Sequence, residues 1–465
     1  MKLTFWGAAR QVTGSMFLLE LKDSYKILID CGTDYGKRHF NSSGRLFNFN
    51  PAEIDLALLT HAHLDHSGNI PLLFLHGYKG QVLCTAATLS LVQILLNDSA
   101  SLNSRRLKKS MQLNGKIRYA PEPALEGIYL EKQVDDATSR FVTLPFNQRF
   151  EVRKGLWVNF IPTGHLLGAA NIVVEAEEDG TTKKIAFSGD VGRANYPLLK
   201  DPQGLPQVDY LVCESTYGNR SHEDENPEQM LEDVIKRTCV DISGRLIIPA
   251  FSTGRTQSLL FVLNKLYRQG RLPRIKIFAD SPMAYLSTRV YGDYVELMNQ
   301  EAQDFEREYG DLFDFDNLIQ IDNYKDSKAI SDYYEPCIII SSSGMLSGGR
   351  MQMHVKKNIR NPYSTILLVG YSAEGTPGYD LLTGSRVLKL KGKTYQVVAN
   401  VVTTDVFSGH ADREDLINFV KPQKAVKKVF LVHGEVPSLE AFKEGLEKEG
   451  FKDVVIPEQG ECFDL

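Results

Sequence analysis

The segment THAHLDHSGNI, residues 60–70, sets three histidines and an aspartate within six positions of a chain that has ten histidines in all. The run before it, residues 54–59, reads as a short buried strand, and the run from Gly68 to Leu75 as the opening of a helix. Residues two apart on an extended segment project to one side, so His61 and His63 share a target. Asp65 and His66, where the chain turns into the helix, address a second point close by. Two pairs aimed at two neighbouring points fit two metal ions. Neutral imidazole with carboxylate suits zinc and, less selectively, manganese or iron.

The same placement recurs along the chain. Asp30 ends KILID, His165 ends WVNFIPTGH, Asp190 ends KIAFSGD, Glu214 ends YLVCE, His410 follows VVTTDVFSG and His433 ends KVFLVH. Each stands at the carboxyl end of an apolar strand-like run, where α/β proteins build their sites, so one cleft can collect them all. His165 stands between Gly164 and Gly168, which permit close approach of backbone to a ligand, and reads as a metal ligand. Asp190 reads as a bridge, because one carboxylate can serve two cations through its two oxygens. Asp30 is either a turn aspartate or the acceptor that orients a ligating histidine. Cys31 reads as packing, His39, His76 and His354 as structural residues, and His222 is ambiguous.

The length of 465 residues exceeds one ordinary core and implies two domains. The first part has two hairpins, one turning at Lys22-Asp23-Ser24 and one at Asp179-Gly180, and residues 98–150 read as helical pieces and loops. From about residue 205 the pattern changes to strand then helix, as in GRLIIPAFSTGRTQSLLFVLNKLYRQG, which predicts a largely parallel sheet. The tail returns to VVANVVTTDVFSGHAD, KKVFLVHGE, a helix at 438–449 and a final strand KDVVIP.

Hydrophobic residues at 43% and charged residues at 24% are those of a water-soluble globular chain. No apolar run reaches membrane-spanning length, and MKLTFWGAAR starts as a strand instead of a signal peptide, so a cytoplasmic protein is expected. Six scattered cysteines predict reduced, mostly buried thiols. A net charge of −5 carries no global sign of a polyanionic partner. The basic runs SRRLKK (104–109), KKNIR (356–360) and RVLKLKGK (386–393), each taken alone, read as solvated faces. Two loops could cradle phosphate through backbone N–H groups and a guanidinium: SSSGMLSGGR with Ser343, Gly344 and Arg350, and PAFSTGR with Arg255.

HAHLDH, PTGHLLGAANI, FSGDVGR, CESTYGNR, FSGHAD and LVHGE together resemble the metallo-β-lactamase fold hydrolases of the β-CASP branch. Within it the chain is similar to bacterial and archaeal relatives of the mRNA 3′-end cleavage and polyadenylation endonuclease. PAFSTGRTQSLL, DSPMA, SSSGMLSGGR and GYSAEGTPG match the inserted nuclease-specific domain. The resemblance implies an αββα sandwich over 1–204 and 399–465, interrupted by a Rossmann-like α/β β-CASP domain over 205–398. It implies two zinc ions, one on His61, His63 and His165, the other on Asp65, His66 and His433, with Asp190 between them. Asp65 would also orient an attacking hydroxide, and His410 backed by Glu214 would act as general acid, leaving 5′-phosphate and 3′-hydroxyl ends. His433, where DNA-repair members tend to carry valine, favours RNA, single-stranded, over DNA. Tyr379 stands where relatives often have arginine, and neither a KH-type extension nor a ribonuclease J C-terminal domain is expected. A DNA nuclease, an ester or thioester hydrolase and an idle scaffold are the rival readings; the inserted domain speaks against the ester or thioester hydrolase and the full ligand set against the scaffold. Self-assembly is left open.

Overall fold

The Lys22–Ser24 turn closes a hairpin between strands Phe17–Glu20 and Lys26–Ile29, and the Asp179-Gly180 turn closes one between Ala170–Glu178 and Thr181–Phe187. Asp179 and Gly180 both have positive φ (52° and 73°), the conformation a two-residue hairpin turn requires. The computed structural model describes residues 1–34, 46–112 and 127–465, so His39 lies outside the described residues, as does the side chain of Lys109.

The chain divides into two units, residues 1–194 with 201–221 and 410–465, and residues 195–200 with 222–409. The first unit contains two seven-stranded sheets. One runs in the order Cys462–Asp464, Lys2–Phe5, Phe17–Glu20, Lys26–Ile29, Leu56–Leu58, Gln81–Cys84, Phe141–Thr143. The other runs Val454–Val455, Lys428–Val432, Tyr210–Glu214, Thr181–Phe187, Ala170–Glu178, Leu156–Pro162, Phe150–Arg153. Alternate residues of both, among them Leu3, Phe5, Phe17, Leu19, Ile27, Ile29, Val158, Phe160, Ile172, Phe187, Val212 and Phe430, form the buried layer between them. Helices Arg413–Val420 and Val436–Lys448 cover the outer face of the second sheet through Leu416, Phe419, Leu439, Phe442 and Leu446. Helices Ala86–Gln112 and Glu131–Thr138 flank the first. The expected αββα sandwich is present.

The second unit is built on a six-stranded, all-parallel sheet in the order Leu318–Gln320, Lys276–Asp280, Cys337–Ser341, Arg245–Pro249, Thr365–Val369, Asn400–Thr404. Its strands are near-continuous apolar runs, as burial on both faces demands.

Several expectations shift. The division falls at 221/222 and 409/410, where 204/205 and 398/399 were expected. Tyr210–Glu214 is a central strand of the sandwich, bonded to Thr181–Phe187 and Lys428–Val432, and Asn400–Thr404 belongs to the α/β sheet beside Thr365–Val369. Helix begins at Leu64, before Gly68, and breaks at Asn69, whose N–H and side-chain amide donate to the carbonyls of Cys31 and Gly32, before resuming at Ile70. The final strand is Cys462–Asp464, paired with Lys2–Phe5 of the opposite sheet, in addition to a two-residue strand Val454–Val455.

Candidate metal centre

Asp30 organises the loop that carries the histidines. Its φ is 58°, and its carboxylate accepts the Thr60 N–H (2.8 Å) and hydroxyl (2.9 Å) and meets His66 Nδ1 at 2.7 Å. The sequence left Asp30 between turn former and orienting acceptor, and its left-handed φ together with these carboxylate contacts carries features of both. A carboxylate on Nδ1 holds the ring proton there, so Nε2 of His66 turns a lone pair inward. Close approach is enforced from both sides. A Cβ at Gly32 would stand 1.6 Å from the Asp65 carbonyl oxygen, and one at Gly189 would stand 2.7 Å from the Thr60 side chain.

Two groups of ligand atoms result, each within 4.8 Å among themselves: His61, His63, His165 and Asp190, and Asp65, His66 and His433. His63 Nδ1 is 3.1 Å from His61 Nε2 and 3.2 Å from His165 Nε2, and His66 Nε2 is 3.4 Å from His433 Nε2. Asp190 stands between the groups, one oxygen to each. Its Oδ2 is 3.4 Å from both His61 Nε2 and His165 Nε2, and its Oδ1 is 3.1 Å from His66 Nε2 and 3.5 Å from His433 Nδ1. Asp190 Oδ1 is buried and lacks a well-formed hydrogen bond. A buried carboxylate oxygen among imidazole nitrogens, with no lysine or arginine ion pair to it among the described residues, is an arrangement that a cation satisfies.

The electrostatics agree with that fit. Burial pushes His61 down to about 3 and His63 to about 4, so both are neutral at pH 7, the form in which imidazole can ligate a metal. His165 is also lowered, by burial and by His410. His66 moves the other way: burial opposes its charge, but Asp190 and Asp30 outweigh burial and raise it well above the usual range. The position that attracts a second proton on His66 is the one a metal would take, since cation and proton compete for the same lone pair. Asp65 and Asp190 stay ionised despite burial because His433 and His66 surround them.

Glu214 and His410 meet beside this centre. Glu214 is fully buried, its Oε1 accepting the Val191 N–H at 2.7 Å and its Oε2 the Thr216 N–H at 3.1 Å, and Oε1 lies 3.2 Å from His410 Nδ1. Asp190, Glu214 and His410 also converge within 4.8 Å, and Glu214 is already hydrogen-bonded by two backbone N–H groups. Glu214, with Asp190 and Asp65, outweighs burial and raises His410 above its usual value. His410 reaches this place differently from expectation: it ends no sandwich strand but sits in the return from the α/β unit, just before helix Arg413–Val420.

The other expected site residues lie in the α/β unit. Arg255, at the start of helix Arg255–Arg268, is largely buried with its guanidinium over the Phe251 ring. Ser343 accepts the Gly348 N–H, and Gly344 lies against Phe251. Arg350 is not displayed to a phosphate. It turns inward onto Asp280 at 2.7 Å and donates to the carbonyls of Ile321 and Asp322, because the buried Asp280 carboxylate demands a counter-charge. His354, expected to be structural, completes that cluster at 2.6 Å from Asp280, a partnership no local motif announces. His222 lies in this unit beside Asp405, and His76 ends helix Ile70–Leu75 edge-on to Phe47. Five cysteines are buried and none is bridged, and no helix among the described residues is long and apolar enough to cross a membrane.

These features define a metallo-hydrolase sandwich interrupted by an α/β unit, and the chain belongs to the metallo-β-lactamase superfamily, in the branch that carries a Beta-Casp domain. The metallo-beta-lactamase superfamily profile matches residues 9–218, the Beta-Casp domain 256–381, and the Zn-dependent metallo-hydrolase RNA specificity domain 394–457. Ribonuclease TTHA0252 of Thermus thermophilus is 33% identical over 442 residues, covering 94% of either chain. Transcription termination factor FttA of Methanosarcina mazei is 29% identical over 93% of this chain and 67% of its own. The RNase J-like protein of Methanocaldococcus jannaschii is 27% identical over 93% and 92%.

Proposed function

We propose that this chain is a zinc-dependent ribonuclease that hydrolyses phosphodiester bonds of single-stranded RNA in RNA processing or decay. The observation that carries the reading is Asp190, whose two oxygens face two separate groups of histidines. The ribonuclease names of the relatives and the RNA specificity profile over 394–457 support RNA as the substrate. Unbridged buried thiols suit the reducing cytoplasm.

His61, His63, His165 and Asp190 would hold one ion, and Asp65, His66, His433 and Asp190 the other. Such a pair, when bound, lowers the pKa of water toward neutrality and neutralises charge developing on phosphoryl oxygens. Asp30 fixes the His66 tautomer. Asp65, ionised and 3.5 Å from His433, accepts a hydrogen bond from the attacking water and so aims it. Glu214 raises the proton affinity of His410, which suits it to deliver a proton to the departing ribose oxygen.

The test is cleavage of 5′-labelled RNA against matched DNA, with and without chelator, by wild type and His410→Ala. RNA cleavage abolished by chelator is expected, and His410→Ala should be ~10²- to 10⁴-fold slower with its metals retained. A sulfur leaving atom, which departs without a proton, should restore most of that rate. DNA cleaved as well as RNA, or metal lost together with His410, would overturn the assignment.

A further inference from the structure

Two basic runs that the sequence separates, KKNIR at 356–360 and RVLKLKGK at 386–393, are one surface in the α/β unit. Strands Val387–Leu390 and Lys393–Gln396 form a two-stranded hairpin. Its turn residues Lys391 and Gly392 have φ of 48° and 75°, the primed turn that matches strand twist. Leu388 and Leu390 point inward, into the core that also contains Leu381, Val355 and Ile359, which leaves Val387 and Lys389 exposed. Residues 397–399 then stitch the hairpin to the end of helix Met351–Asn358. Val397 donates to the Arg386 carbonyl (2.8 Å), and Val398 and Ala399 donate to that of Ile359 (2.9 and 3.0 Å). Lys356 and Arg360, one turn apart at that helix end, are thereby joined to Arg386, Lys389, Lys391 and Lys393.

None of these six cations takes part in an ion pair among the described residues, and of the two runs only Lys357 is paired, to Asp332 at 3.3 Å. Residues 351–404 hold seven Lys and Arg against two Asp and Glu, in a chain whose totals are 53 and 58. An unneutralised basic surface on an acidic protein is an electrostatic footprint for a polyanion. Tyr363, 63% exposed three residues beyond Arg360, and Val398, 46% exposed, lie at the same end of the sheet, and an exposed aromatic beside cations is the platform on which a base stacks. This end is where the strands begin. The Ser343–Arg350 loop lies at the other end of the same sheet, beyond Cys337–Ser341.

We infer that the surface formed by hairpin 386–396 and the helix end 356–360 binds the backbone of single-stranded RNA outside the catalytic residues. The inference rests on the ribonuclease reading. It makes long RNA a better substrate than short RNA.

The test compares kcat/KM for an RNA of about 40 nucleotides and one of about 6, below or near a typical single-strand site size. Wild type is set against Lys389→Glu/Lys393→Glu and, independently, Lys356→Glu/Arg360→Glu. Each variant should lose about tenfold or more on the long RNA, with a log–log salt slope shallower by at least ~1, since each phosphate contact on a single strand contributes ~0.7. The short RNA should be cleaved as by wild type. Unchanged long-RNA kinetics in both variants would overturn the inference and return the surface to plain solvation or to a protein partner. Equal losses on both RNAs would also overturn it. If wild type cleaves neither RNA, the ribonuclease reading itself fails, a result seen without any variant.

Discussion

Asp190 and Asp280 are both buried aspartates following apolar strands, and both have histidine for company, yet their surroundings differ in charge balance. Asp280 accepts Arg350 on Oδ1 and His354 and Ser327 on Oδ2, at 2.6–2.7 Å. A guanidinium, an imidazole and a hydroxyl satisfy it. Among the described residues Asp190 faces imidazole nitrogens at 3.1–3.5 Å, and its Oδ1 lacks a proper hydrogen bond. Asp190 stands among four histidines, whereas Asp280 meets His354 and an arginine. Among the described residues, the arginine at Asp280 makes that cluster a structural salt bridge, while the cluster at Asp190 has none and is one that a cation would satisfy.

The sharpest way to break this comparison is to remove each acid. Asp190→Ala should reduce bound metal to below one ion per chain and abolish RNA cleavage while leaving the fold intact, as read by elemental analysis and circular dichroism. Asp280→Ala should do the reverse. Metal content stays at the wild-type value, but stability falls by ~3–5 kcal/mol, the usual cost of leaving one partner of a buried pair unpaired, measured by denaturant unfolding. Equal loss of metal in both variants would erase the distinction.

A finer test uses Asp30. Asp30→Asn keeps the shape but no longer fixes the proton on His66 Nδ1, so metal affinity should fall ~10- to 100-fold, measured by chelator competition. An affinity equal to wild type would show that the ring is oriented by other contacts.

The smallest effect is on stability against pH. His61 and His63 have folded values of about 3 and 4 against an ordinary 6.5. Below pH 6.5 the unfolded chain therefore binds protons that the folded chain refuses, and metal-free protein loses stability as pH falls toward about 4. His66 and His410, raised above 6.5, contribute stability that is present at low pH and lost as pH rises through their folded values, so they offset part of that slope. Asp280, lowered below its ordinary 3.8, keeps its contribution throughout this window. Melting of chelated protein from pH 7 to 4.5 should thus show a decline that His63→Gln makes shallower.

The candidate metal centre was legible because its residues follow the ends of four short apolar strands, Leu56–Leu58, Leu156–Pro162, Thr181–Phe187 and Lys428–Val432, and strand ends of one sandwich converge. His165, Asp190 and His433 follow closely on strand ends, whereas the placement of His61, His63 and His66 also depends on the loop that Asp30 organises. Asp30 needed the structure, since turn aspartate and orienting acceptor look alike in a sequence. The inward turn of Arg350 was not legible, because the side to which a loop arginine turns is set here by Asp280, seventy positions away. The unit boundaries moved because Tyr210–Glu214 and Asn400–Thr404 are equally apolar strands, and only pairing assigns them to a sheet. The union of residues 356–360 with 386–396 depends on backbone bonds from 397–399, which no periodicity reveals.

The central claim is that Asp190 joins two metal positions, and elemental analysis of the purified, zinc-supplemented chain addresses it directly. Two ions per chain, falling to less than one in Asp190→Ala, is the predicted result. Fewer than one ion per wild-type chain, or two ions retained without Asp190, would contradict it.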